Sequence, residues 1–181
     1  MIGNNNFRHN CECFRQDDAG KMINGQALGV VSKMRYGLCR MSFNGCEVIA
    51  VYNALIYADA ARPLPEIAVY MEKFRMLMGV FGCSPYKIGR ALRHFGANQE
   101  RVRSAENAEA FIVTFWTKIP FLSSLHTVFC VRKNNGIIVY NRYNNCGEPQ
   151  LCRNIEEVTG KHRPVAIYTI YRNKNKDIPG E

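Results

Sequence analysis

Cys46 follows Asn44-Gly45 at the head of the run "CEVIAVYNALIYADA", residues 46–60. A cysteine in the first turn of a helix feels the positive end of the backbone dipole, which favours the thiolate and so makes a nucleophile. Free cysteine is also among the most buried side chains, so that position has a plain packing explanation unless a base stands nearby. Four histidines are available. His9 lies in the polar start, His162 in a basic loop, and His94 near a helix end, where positive charge complements the dipole. His126 differs: it opens "HTVFCVRK" directly after the loop "KIPFLSSL", and strand ends beside loops reach into clefts. The following "NNG" is a tight-turn signal for a hairpin. A two-residue turn at Asn134-Asn135 sets His126 opposite Tyr143, with Asn141 its diagonal neighbour on the same face. A turn at Asn135-Gly136 keeps Asn141 on that face, further along. An amide so placed can accept the imidazole proton and hold the ring, as the third member of a triad does. Cys46, His126 and Asn141 are therefore the candidate catalytic residues. Their chemistry would be attack on an amide or related carbonyl through an acyl-thioester.

The elements that must position them fall into two halves. Val48, Val51, Tyr52, Leu55 and Ile56 have helical spacing, Asn44 or Gly45 can cap their helix, and "ARPLP" ends it. A second helix is predicted over "EIAVYMEKFRMLMGVFG", stopping at Gly82. A third has Ser84 as N-cap, Pro85 in the first turn and Gly96 as its stop. After a polar link at 98–109 the period changes. "AFIVTFWT" (110–117), "HTVFCVRK" (126–133), "GIIVYNRY" (136–143) and "VAIYTIYR" (165–172) are β-branched and aromatic, and "CRNIEEVTG" can add a short helix. Helices followed by hairpin-linked strands predict an α+β fold, an N-terminal helical half packed on a C-terminal antiparallel sheet. The expected layout is a polar N-terminal extension at 1–24, one domain at 25–172, and a basic tail at 173–181.

Length and composition suit one domain: 181 residues, 47% hydrophobic and 22% charged. No apolar run is long enough to span a bilayer, and the polar start lacks the apolar middle of a secretory signal, so a cytoplasmic location is expected. The net charge of +9 comes from 24 basic and 15 acidic residues. The basic residues are scattered, with mild density at Arg90, Arg93, Arg101 and Arg103 and in the tail, which argues for a solvated face over a nucleic-acid surface. Eight cysteines without other signs of an oxidising compartment read as thiols rather than a disulfide framework. His9, Cys11 and Cys13 cluster, and Cys146 and Cys152 lie close in sequence, but neither group has the spacing of a structural zinc site. No metal and no cofactor is expected.

The order of Cys46 at a helix head, His126 opening a strand and Asn141 beyond the turn resembles the cysteine, histidine, asparagine order of papain-like cysteine peptidases. The likeness is closest to the branch of bacteriocin-leader (double-glycine) peptidases. "GCSPYKIGRALRHFG" and "HTVFCVRKNNGIIVYNRYN" fit that plan, over about residues 36–172. The resemblance implies a papain-like fold, peptide or protein substrates and a Cys46-His126-Asn141 triad. It also implies a glutamine six residues before the cysteine as oxyanion donor, where this chain has Arg40. Asn44, or Arg40 itself, is the candidate replacement. Glu47 stands where the family carries glycine or tryptophan, and a carboxylate there raises the thiol pKa unless it points away or is paired. The same three residues would serve deamidation or acyl transfer, and a papain-like binding module without catalytic power is the alternative class.

Overall fold

The computed structural model describes residues 2–15, 19–119 and 122–173. Helix α1 (Ile2–Cys13) is followed by a small hairpin, β1 (Arg35–Tyr36) and β2 (Cys39–Arg40), and by the short helix α2 (Met41–Asn44). The long helix α3 (Cys46–Tyr57) comes next, then α4 (Leu64–Met71) and α5 (Ile88–His94). Ten of the residues of α3 are buried, which follows from its apolar composition on all sides: it is the central rod of the helical half, packed on the sheet beneath and on α4 and α5 beside it.

The second half is a six-stranded antiparallel sheet of order β3-β8-β4-β5-β6-β7, made of β3 (Asn98–Val102), β4 (Ala110–Ile119), β5 (Leu122–Lys133), β6 (Gly136–Tyr140), β7 (Gln150–Cys152) and β8 (Pro164–Tyr171). Strand alternation gives it two buried faces. Ile112, Phe129 and Tyr168 join the core of the helical half, while Val113, Val128 and Val139 form a second core. Helix α6 (Ile155–Thr159) contributes Val158 to that second core. It is capped by the side chain of Asn154, which accepts from the N–H of Glu157. The α+β expectation of a helical half laid on an antiparallel sheet holds.

Three local expectations change. The stretch 98–102, expected as a polar link, is the edge strand β3; "NQERV" has mostly solvent-facing side chains and so carries no apolar alternation. The second helix stops at Met71 rather than Gly82, and the chain continues in two short 3₁₀ turns, with Leu77 and Met78 at φ of 44° and 57°. The polar start is helical and bound to the domain. The Asn6 amide donates to the Gly37 carbonyl (2.8 Å) and to Glu72 Oε1 (2.6 Å). Asn10 bonds both the N–H and the carbonyl of Arg35. Hydrogen bonds from buried asparagines, rather than apolar area, hold α1 in place, and a hydrophobicity pattern does not show that. Of the basic tail, residues 174–181 lie outside the described residues.

The hairpin turn at Gly37 meets the turn at Gly79. Gly37 has a φ of +59°, and a Cβ on it would run into the Met78 carbonyl. Gly37→Ala is expected to cost about 2 kcal/mol or more. Thermal unfolding should show this as a fall of roughly 5 °C for a chain of this size.

Candidate active site

The β5–β6 hairpin turns at Asn134-Asn135, with Lys133 opposite Gly136 and Phe129 opposite Tyr140. This is the first of the two registers the sequence allowed. In such a hairpin the residues flanking the turn exchange hydrogen bonds, so Lys133 and every second residue back along β5 point their N–H groups toward β6. Pairing stops at Tyr140, because Asn141 adopts a left-handed φ of 58° and the chain leaves the sheet. His126 and Tyr143 are therefore not paired, and the edge of β5 at Thr127 is open. The first turn of α3 fills that opening. The backbone amide of Thr127 lies near enough to the Cys46 sulfur to favour its ionised form.

His126 Nε2 lies 2.8 Å from the main-chain carbonyl of Asn141. A carbonyl only accepts, so Nε2 carries the proton and Nδ1 presents a lone pair. Among the described residues no hydrogen bond occupies Nδ1. Burial lowers the imidazole pKa below its usual value, against the pull of the Asn141 and Arg142 carbonyls, which keeps the ring neutral at pH 7. Phe115, paired with His126 across β4 and β5, meets the ring edge to face at 6.0 Å.

Asn141 braces the imidazole with its backbone, not with the side-chain amide expected from the sequence. Its left-handed conformation turns the carbonyl to the ring and leaves the amide for Gln26. Asn141 Oδ1 accepts from the Gln26 N–H (3.0 Å), and Asn141 Nδ2 donates to Gln26 Oε1 (3.1 Å). The Asn141 N–H in turn donates to Asn24 Oδ1 (3.0 Å). Gln26 is 1% exposed, and its Nε2 donates to the Ser42 carbonyl at 3.1 Å. A polar chain thus runs from His126 through Asn141 and Gln26 to α2, immediately ahead of Cys46. Sequence reasoning missed Asn24 and Gln26, because a polar "NGQ" loop has no periodicity and the expected domain boundary cuts through it.

The Cys46 thiol donates to Glu47 Oε2 at 3.3 Å. Glu47 is 2% exposed, and the backbone N–H of Cys83 favours its ionised form. A Cβ on Gly82, whose φ is +66°, would come within 2.8 Å of Glu47 Oε2, so glycine there lets the turn close over the carboxylate. Burial pushes the Glu47 carboxyl up from 4.5 to about 7, against the hydrogen bonds that favour its ionised form. Burial, and then the Glu47 charge, hold the Cys46 thiol well above its ordinary range, with the Thr127 amide acting the other way. The thiolate preference expected from the helix dipole is thus outweighed by desolvation.

A carboxyl whose folded pKa is raised binds its proton more tightly in the native state, so the native state loses stability as pH climbs from about 4.5 to about 7. A rise of this size corresponds to roughly 3 kcal/mol. Glu47→Gln removes the titration. The variant is expected to gain stability relative to the parent between pH 5 and pH 7.5, read as diverging melting temperatures.

Asn44 does not serve as an oxyanion donor or as the cap of α3. Both N–H groups of its buried amide are committed, to the carbonyls of Tyr36 (3.0 Å) and Gly79, and Gly45 is the N-cap. Its Oδ1 is buried and has no partner among the described residues. Arg40 is exposed at the N-cap of α2 and remains a candidate. The Asn44 bonds pin together the two turns that carry Leu38, Phe43, Leu77, Met78 and Phe81, all strongly exposed. Of the aromatic residues able to line a cleft, Tyr36 belongs to the core, whereas Phe43, Trp116 and Tyr143 are exposed.

His9 bonds the Lys33 carbonyl (2.9 Å) and lies 3.7 Å from the Cys13 sulfur; among the described residues no group of three or more potential ligands could hold a metal ion. No helix of the described residues is long and apolar enough to cross a membrane. Comparison of the chain with family models, curated proteins and solved structures finds no match.

Proposed function

We propose that this protein is a papain-like cysteine hydrolase acting on peptide or protein amides. The observation that carries the proposal is that α3 lays Cys46, at its head, against β5, the strand that carries His126. The backbone amide of Thr127 favours the Cys46 thiolate, and the preceding residue, His126, has Nε2 fixed on the Asn141 carbonyl with its ring on the face of β5 that meets Phe115. The sulfur attacks the carbonyl carbon, the amine leaves with a proton, and water releases the acyl group from sulfur. Nδ1 of the neutral imidazole serves as proton acceptor in this cycle. Asn141 acts as a positioning residue through its carbonyl, and Gln26 keeps Asn141 in its left-handed conformation.

The exposed apolar rim from Leu38 to Phe81 suits a substrate with apolar side chains near the scissile bond. Strained backbone at Leu77 and Met78, both displayed to solvent, is the kind of local cost that accompanies binding surfaces. Transfer of the acyl group to another nucleophile, or glutamine deamidation, uses the same atoms. The raised thiol pKa and the absence of a free Asn44 donor favour, as second reading, a binding module on the same scaffold.

Acyl-enzyme trapping separates them. The protein is mixed with a peptide p-nitrophenyl ester carrying an apolar residue next to the ester, quenched in acid, digested and weighed. The hydrolase should show an acyl adduct on the Cys46 peptide that decays as product forms. Binding of the same peptide with no adduct would leave the module.

A further inference from the structure

We infer that Glu47 is a catalytic acid–base group of this site, taking the Cys46 thiol proton directly as the sulfur attacks. The inference rests on Cys46 being the nucleophile, but it concerns a group with no part in the triad. Three observations carry it. The thiol of Cys46 is directed at Glu47 Oε2, 3.3 Å away, while no hydrogen bond between Cys46 and His126 is present. The carboxylate is almost fully buried, with Gly82 lying so close that a side chain there would collide with the carboxylate oxygens. A structural carboxylate at 2% exposure would pair with a cation, and among the described residues Glu47 has none.

The titratable groups acting on the pair come from each packed element. Tyr36 and Cys83 face Glu47 from β1 and the turn ahead of α5; both are held protonated by burial and neither supplies positive charge. Glu72 acts on Tyr36 and is itself paired with Arg75 (3.1 Å). His126 stands on β5, neutral. Between them, Cys46 and Glu47 therefore share one proton once Glu47 has ionised. That proton rests on Sγ, where burial and the Glu47 charge keep it, and passes to Oε2 as the sulfur attacks, leaving a neutral carboxyl group suited to its apolar setting.

The step balances without a co-reactant. The Sγ–C bond forms, the amide C–N bond breaks, and the proton passes from Oε2 to the departing nitrogen, restoring the carboxylate. His126 keeps the second half: Nδ1 takes a proton from the water that attacks the thioester carbon, and that proton goes to the departing sulfur.

The test reads alkylation of Cys46 by iodoacetamide against pH, quantified on its peptide after digestion, in the parent, Glu47→Gln and His126→Gln. In the parent the rate should climb through a step with midpoint near pH 7. The step should survive His126→Gln and vanish in Glu47→Gln, which should label at least about tenfold slower at pH 7.5. A carboxylate that merely repels the thiolate gives the opposite sign, so equal or faster labelling of Glu47→Gln overturns the inference. So does a parent profile without the step, or loss of the step in His126→Gln. Should Glu47→Gln fail to fold by circular dichroism, the parent and His126→Gln profiles decide alone. Alkylation needs no substrate, so a protein that shows the step but forms no acyl-enzyme keeps this inference and loses the hydrolase proposal.

Discussion

Cys46→Ala is expected to lower hydrolysis of any substrate this protein cleaves by about 10³-fold or more, with the fold intact. The sulfur is the sole atom in the site able to form the acyl bond, and nothing around Cys46 replaces it: Glu47 is bonded to the thiol itself, and Asn44 is committed to two carbonyls. Alanine in its place fits the same space, so stability should change by about 1 kcal/mol. Cys83→Ala, Cys130→Ala and Cys152→Ala remove equally buried thiols and should leave the rate within a few-fold of the parent. His126→Gln should cost roughly 10² to 10⁴ in rate, the usual worth of a positioned proton carrier. Steady-state rates on one cleavable peptide check all five variants, and an active Cys46→Ala protein would contradict the proposed chemistry outright.

Asn141→Ala should have the largest effect on stability, about 3 to 5 kcal/mol. It leaves the Gln26 N–H and Gln26 Oε1 buried and unbonded, and it places a β-carbon residue at φ 58° without the local hydrogen bonds that make asparagine tolerable there. For a chain of this length the loss is roughly 10 °C in melting temperature. Asn141→Gly separates the two contributions, since glycine accepts the conformation but not the bonds. It should recover about 1 kcal/mol of the loss. Differential scanning calorimetry of the two variants provides the comparison; equal melting temperatures for parent and Asn141→Ala would mean that Gln26 does not depend on Asn141.

The large elements were legible because they announce themselves by period. An apolar run such as α3, the proline-led turn into α5 and four β-branched runs around "NNG" leave few alternatives, and the turn residues narrowed the hairpin to two registers, of which the structure has the first. The candidate site residues were named from the sequence, but the bonds around them were not. Strand geometry placed Asn141 on the same face as His126 provided pairing continued. Pairing in fact ends one residue earlier, because Asn141 turns left-handed, and the brace passes from side chain to carbonyl. Nothing in a single sequence marks that change, since asparagine is at home both in strand ends and in left-handed turns. Gln26 was hidden for a related reason: it acts from a loop 115 residues away from Asn141 in sequence. Glu47 was visible as an oddity beside the cysteine. Its direct bond to the thiol depends on Gly82 and Cys83 folding over it, a long-range closure no local pattern reports. The helical start and edge strand β3 escaped notice because asparagines and solvent-facing side chains, not apolar area, hold them.

Competitive labelling at pH 7.5 with limiting iodoacetamide tests the site most directly, because Cys46, Cys83, Cys130 and Cys152 share nearly complete burial. Burial alone would make the four equally inert. Of the four, Cys46 alone donates its proton to a carboxylate, at 3.3 Å, whereas Cys83 faces the Ser84 carbonyl and Cys152 takes an N–H from Arg142. The Cys46 peptide should therefore carry the label at least about tenfold ahead of the other three. Labelling of Cys46 no faster than Cys83, Cys130 or Cys152 in the folded protein would mean that its sulfur is packing material, and the catalytic assignment would fall.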